Sequence, residues 1–97
     1  MKQIIFEKGF LKDWKRLKKK RYDKSELDKI VNILKNDEYI SAGYHDHALS
    51  GNHKGYRECH IRSNWLLLYK TTETEVFLVA TGTHDDLFKQ RRNRYVS

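Results

Sequence analysis

Three histidines in the second half of this 97-residue chain have the types and settings that chemistry needs. His47 lies in His45-Asp46-His47-Ala48-Leu49, and His60 closes Gly55-Tyr56-Arg57-Glu58-Cys59-His60. His84 lies in Thr81-Gly82-Thr83-His84-Asp85-Asp86-Leu87-Phe88. Imidazole is the side chain whose ordinary titration range, about 6.5, lets it give or take a proton near neutral pH. Several of them in a small domain point to proton transfer.

The charge says on what. Lysine and arginine number 20 against 13 acids, a net charge of +7. Such a balance favours a polyanion, because each phosphate contact releases condensed counterions. RNA can be cleaved without a metal if a base takes the 2′-hydroxyl proton and an acid protonates the departing 5′-oxygen. One neutral and one protonated imidazole supply both transfers, each worth ~10²–10⁴-fold. Lys54, Arg57 or Arg62 can stabilise charge on the phosphorane. Tyr56, Trp65 and Phe88 can stack on splayed bases.

Plainer readings stand beside these. Any one of the histidines can be a hydrogen-bonded edge residue, and Trp65 suits the core as well as it suits a stacking platform. Trp14, Tyr69 and Phe77 read as core, and His45 and His53 as spectators. Cys59 is the single cysteine, on the apolar side of its strand, and reads as an inert packing residue. His45-Asp46-His47 has a spacing that can hold a metal, but no cysteine pair or His-Glu-X-X-His helix accompanies it. No metal or cofactor is therefore expected.

The elements that must position these residues follow from periodicity. Length suits one domain, residues 1–97, with one modest core. Lys2 to Glu7 reads as a strand, and Lys8 to Arg21 as a helix carrying Phe10, Leu11, Trp14 and Leu17 on one side. Its other face is basic, ending in Lys18-Lys19-Lys20-Arg21. A second helix starts at a cap near Asp23 and repeats Leu27, Ile30, Val31 and Leu34. Asn36 to Lys54 reads as a long loop, the kind that tends to carry function. Tyr56 to Arg62 alternates, with Arg57, Cys59 and Ile61 on one face and Tyr56, Glu58 and His60 on the other. Trp65 to Lys70 and Glu75 to Thr81 are apolar on both faces, as central strands are. Asp85 to Arg94 reads as a short terminal helix with a second basic cluster of Lys89, Arg91, Arg92 and Arg94. The expected fold is α+β, in the order β-α-α-β-β-β(-α). A helical hairpin packs on a mainly antiparallel four-stranded sheet. Lacking an export signal, an apolar span or a second cysteine, the chain reads as cytoplasmic, with no membrane partner.

At these residues the sequence resembles the YafQ-like branch of the RelE/ParE superfamily of bacterial toxins. The resemblance rests on Asp46-His47-Ala48-Leu49-Ser50-Gly51, Gly55-Tyr56-Arg57-Glu58-Cys59-His60-Ile61, Trp65-Leu66-Leu67-Leu68-Tyr69-Lys70 and Thr81-Gly82-Thr83-His84-Asp85-Asp86-Leu87-Phe88, in that order. It implies a RelE-like fold and a ribosome-dependent mRNA endonuclease of a type II toxin–antitoxin module. The implied partners are a cognate antitoxin, message in the ribosomal A site and ribosomal RNA, with operator DNA bound only through the antitoxin complex. His47, His60, Trp65, His84 and Phe88 match positions that matter for activity in the family. Two positions depart from its better-known member: Asn64 stands where that protein has an acid, and Ala80 where it has an arginine. Two other classes stay open. One is a ParE-like poison of DNA gyrase, the other a basic nucleic-acid-binding protein without catalysis.

Overall fold

A computed structural model describes residues 1–89. The Lys89 side chain and residues 90–97, with Arg91, Arg92, Arg94 and the end of the expected terminal helix, lie outside the described residues. Strand β1 (Gln3–Phe6) leads into helices α1 (Lys8–Lys19) and α2 (Lys24–Lys35). Strands β2 (His47–Ala48), β3 (Arg57–Arg62), β4 (Trp65–Thr71) and β5 (Glu75–Gly82) follow, and a π-helical turn, Asp85–Lys89, ends the described chain.

Both helices form where the spacing predicts them, and each ends without glycine. At the end of α1, the Arg21 N–H donates to the Lys18 carbonyl and the Tyr22 N–H to that of Leu17. This is a Schellman closure, with Arg21 in the left-handed position at φ 65°. Asp37, at φ 54°, closes α2 in the same way. Asp23 caps the start of α2, its carboxylate accepting from the Ser25 N–H at 2.9 Å.

The sheet has five strands, in the order β1-β5-β4-β3-β2, not the four expected. The extra strand is His47–Ala48, inside the segment read as loop. Two residues are too few to show a period, and the pairing of His47 with Glu58 and Ala48 with Arg57 creates the strand. β1 runs parallel to β5, and the other pairings are antiparallel.

Apolar residues fill both sides of the sheet. Phe10, Leu17, Leu27, Ile30 and Leu34 of the helices meet Cys59, Ile61, Trp65, Leu67, Tyr69, Val76 and Leu78 on one face. Each large side chain buried there contributes about 1.5–3 kcal/mol. Leu11, expected in that stripe, is half exposed instead. The opposite face carries a smaller cluster in which Leu66, Leu68, Val79, Ala80 and Leu87 are buried, with Leu49, Tyr56, Phe77 and Phe88 packed around them. The histidines border this second face.

Candidate active site

Strand alternation puts Glu58 and His60 on the face away from the helices, because Cys59 and Ile61 are drawn into the core. The pairing of β2 with β3 then sets His47 opposite Glu58. Both imidazoles close on one carboxylate oxygen: His47 Nε2 lies 3.4 Å and His60 Nε2 3.7 Å from Glu58 Oε1. The Glu58 side chain is 8% exposed, against 50% for His47 and 28% for His60. A nearly buried carboxylate thus stands behind two accessible imidazoles. The alternation in Tyr56 to Arg62 had placed Glu58 beside His60, but the sequence reading gave it no role.

The loop before β2 fixes the His47 ring. His47 Nδ1 lies 2.8 Å from the His45 carbonyl. A carbonyl only accepts, so Nδ1 carries hydrogen in this contact. Nε2 therefore meets Glu58 either as a second N–H or as the lone-pair nitrogen. His45 adopts a left-handed backbone (φ 50°), and its ring meets the His60 ring edge-on, centroids 5.3 Å apart. His45, read as a spectator, touches both histidines of the pair.

Asp46 anchors the same loop through the sheet. Its carboxylate accepts from Arg57 Nη2 at 2.6 Å, from Arg57 Nε at 3.2 Å and from the Tyr69 hydroxyl. Burial first, and the Asp46 hydrogen bond second, push the Tyr69 hydroxyl well above its ordinary range, so it serves as a donor. The Asp46 bond likewise holds the Arg57 guanidinium more firmly protonated. Burial raises the Cys59 thiol far above its usual value, which suits the inert role read for it.

His84 is positioned by a different device. Thr83 and Asp86 exchange hydrogen bonds at the start of the π turn. The Thr83 N–H donates to Asp86 Oδ2 at 2.9 Å, and the Asp86 N–H to Thr83 Oγ1 at 3.1 Å. Arg16 of α1 reaches the same Asp86 oxygen at 3.2 Å. Gly82 is required beneath this knot, since a Cβ there would lie 2.8 Å from Asp86 Oδ2 and 3.1 Å from Arg16 Nη2. The His84 N–H donates to Asn64 Oδ1 at 3.2 Å, so the amide at this departing position holds the His84 backbone. Ala80, the other departure, is fully buried in the outer apolar cluster.

His84 shares the sheet face of the other two. His60 pairs with Leu66, and Leu66 with Gly82, in one row across β3, β4 and β5. Leu66 clusters with Phe88, whose ring lies 5.1 Å from the His84 ring and 6.3 Å from that of His53. The structure therefore brings His47 and His60 together on Glu58 and sets His84 with Phe88 across Leu66.

The remaining residues expected in the site divide. Lys54 is exposed at the end of the loop before β3. Arg57 and Arg62 lie on the helix side of the sheet, away from the histidines, Arg57 on Asp46 and Arg62 on Glu26 at 2.7 Å. Charge on a phosphate held by His60 is out of line with both. Trp65 is 3% exposed, stacked on Trp14 with centroids 6.2 Å apart, and its indole N–H donates to Thr81 Oγ1. That burial corrects the reading of Trp65 as a platform beside the histidines: an aromatic on the helix-facing side of a central strand is claimed by the core.

A small α+β fold with two histidines on a shielded carboxylate and a third at a strand end defines a class of compact, basic proteins equipped for proton transfer. The chain belongs to the bacterial toxins of type II toxin–antitoxin systems, YafQ, the family model matching residues 2–89. The mRNA interferase toxin YafQ of Escherichia coli strain K12 is 35% identical over 88 residues, 90% of this chain and 96% of that protein. The crystal structure of YafQ from E. coli strain BL21(DE3) superposes with a TM-score of 0.85 at 34% identity, covering 91% of this chain and 99% of that one. The E. coli DinJ–YafQ complex gives 0.83 at 35% identity, over 91% of this chain and 99% of that one. A metal-bound toxin from Helicobacter pylori gives 0.85 at 39% identity, over 91% and 100%. Among the described residues here, no group of three or more His, Cys, Asp and Glu side chains is disposed to hold a metal ion.

Proposed function

We propose that this toxin is an mRNA interferase that cleaves message in the ribosomal A site, by attack of the 2′-hydroxyl on the adjacent phosphate. The products are a cyclic phosphate and a 5′-hydroxyl. The observation that carries the reading is the Glu58 carboxylate shielded behind His47 and His60, on the sheet face that also bears His84 and Phe88. An imidazole of the Glu58-backed pair takes the 2′-hydroxyl proton, and His84 supplies the proton for the departing 5′-oxygen. Phe88 holds the base. Lys54, exposed near the pair, is the cation closest in sequence to serve the phosphate. No step is routed through a metal. The E. coli relatives named mRNA interferase toxins, and their complex with DinJ, support this reading together with a cognate antitoxin for this chain. Ribosomal RNA is a further partner, and operator DNA is engaged through the antitoxin complex.

Single-turnover cleavage of ribosome-bound message tests the assignment. A His84→Ala protein is expected to cut ~10²–10⁴-fold more slowly with message binding retained. Cleavage at the wild-type rate removes His84 from the chemistry. Gyrase-dependent DNA breaks without message cleavage would instead place the chain with the gyrase poisons.

A further inference from the structure

The largest recess among the described residues is not at the histidines. It lies at the end of the molecule where the α1–α2 turn meets the β3–β4 turn, and encloses about 440 Å³. Lys20 and Arg21 line one side, Arg62 and Asn64 the other, with Tyr22 and Trp65 forming an aromatic floor. Tyr22 meets the Trp65 ring edge-on at 5.0 Å between centroids, so the floor is rigid.

Arg21 is the anomaly. It occupies the left-handed closing position of α1, where glycine is free of strain and a side chain costs roughly 1–2 kcal/mol. Asp37 fills the matching position of α2, and short acidic or amide residues tolerate it. A long cation has no such local excuse. Its placement brings the Arg21 guanidinium to a wall that already holds Lys20, and neither makes an ion pair among the described residues. Arg62 is the paired member, on Glu26. Unpaired cations over an aromatic floor suit a phosphodiester joined to a base or ribose.

The recess is also coupled to the candidate site. Asn64 lines it and holds the His84 N–H with its side-chain carbonyl. Lys20 is near enough to Asp86 to help hold that carboxyl in its charged form. From recess to His84 backbone is thus the length of one asparagine side chain, less than a nucleotide.

We infer that this recess binds a backbone phosphate of single-stranded RNA next to the one cleaved, through Lys20, Arg21 and Arg62. The inference rests on the proposed RNA substrate and assigns Arg62 and Trp65 to a neighbouring nucleotide, on the side of the sheet away from His60.

The test is binding of a short 2′-O-methyl oligoribonucleotide, which cannot be cleaved, to the full chain at several salt concentrations. Arg21→Gly keeps the left-handed closure without strain, so any loss of binding is not a loss of fold. Together with Lys20→Ala it is expected to weaken binding roughly tenfold. The slope of log affinity against log salt should fall by about 1.4, at ~0.7 per phosphate contact on a single strand. In isotope-labelled wild-type protein, the Arg21 and Arg62 Nε–H and Trp65 indole signals should shift with the RNA. His47→Ala/His60→Ala protein should bind with an unchanged slope, so failure of the nuclease reading leaves this measurement intact. An unchanged affinity and slope in the double variant overturns the inference. Recess signals that answer an acidic peptide but not the RNA also overturn it, and assign the surface to a protein partner.

Discussion

Glu58 is the residue on which the candidate site turns. It is 6% exposed and is one of three buried polar or charged residues, with Asp13 and Thr81, in the described chain. Burying a carboxylate is costly unless it is partnered, and here the partners are the two imidazoles it orients. Glu58→Gln keeps the shape and removes the charge. It is expected to lower single-turnover cleavage about 10²-fold, with message affinity held, because the rings lose their common anchor. A rate constant within twofold of wild type would reduce Glu58 to a packing role. His45 was missed for a physical reason: a backbone carbonyl and a ring edge carry its contacts, and neither leaves a mark in residue type.

At the scale of elements, two short devices aim the chemistry. The β2 pairing, held by Asp46 through the sheet, presents His47. The Thr83–Asp86 knot presents His84. Gly82 is the tightest point of the second device. In Gly82→Ala the added Cβ meets the Asp86 carboxylate and the Arg16 guanidinium, and a destabilisation of about 1–3 kcal/mol is expected. Chemical denaturation measures it. A fall in cleavage larger than the loss of folded protein should accompany it, since the shift falls two residues from His84. A variant as stable and active as wild type would show that the turn yields without cost.

Across the whole molecule, Asp86 links α1 to the end of β5, and its titration should be felt in global stability. Burial works against its charge, but the Thr83 N–H, Arg16, the Thr83 hydroxyl and Lys20 outweigh that and hold it below the ordinary 3.8. The exposed Asp23 cap is depressed as well, by the Ser25 hydroxyl first and its N–H second. A depressed carboxyl adds stability that is complete above the unfolded value and lost as pH falls through the folded one. The melting temperature should therefore drop on acidification below about pH 4. In Asp86→Asn that drop should be shallower, from a lower starting point at neutral pH. Parallel curves for the two proteins would refute the link.

Residue type, order and alternation determined a great deal without coordinates. Phe10, Trp14 and Leu17 recur at helical spacing, and Cys59 and Ile61 alternate with Glu58 and His60. Those periods settle which side of each element is apolar, and so which face His60 must take. The family resemblance lay in local runs such as Thr81 to Phe88, where a capping pair and a glycine act within a few residues. Contacts between residues far apart in the chain were decided only by the tertiary structure. His47 reaches Glu58 because a two-residue strand pairs across an irregular loop. Arg57 and Arg62 turn to Asp46 and Glu26, and Trp65 goes under the helices. Arg21 meets Asn64 because two turns, some forty positions apart, close on one recess. Periodicity is a property of neighbours along the chain, whereas a charge takes its partner from whatever the folded sheet brings near it.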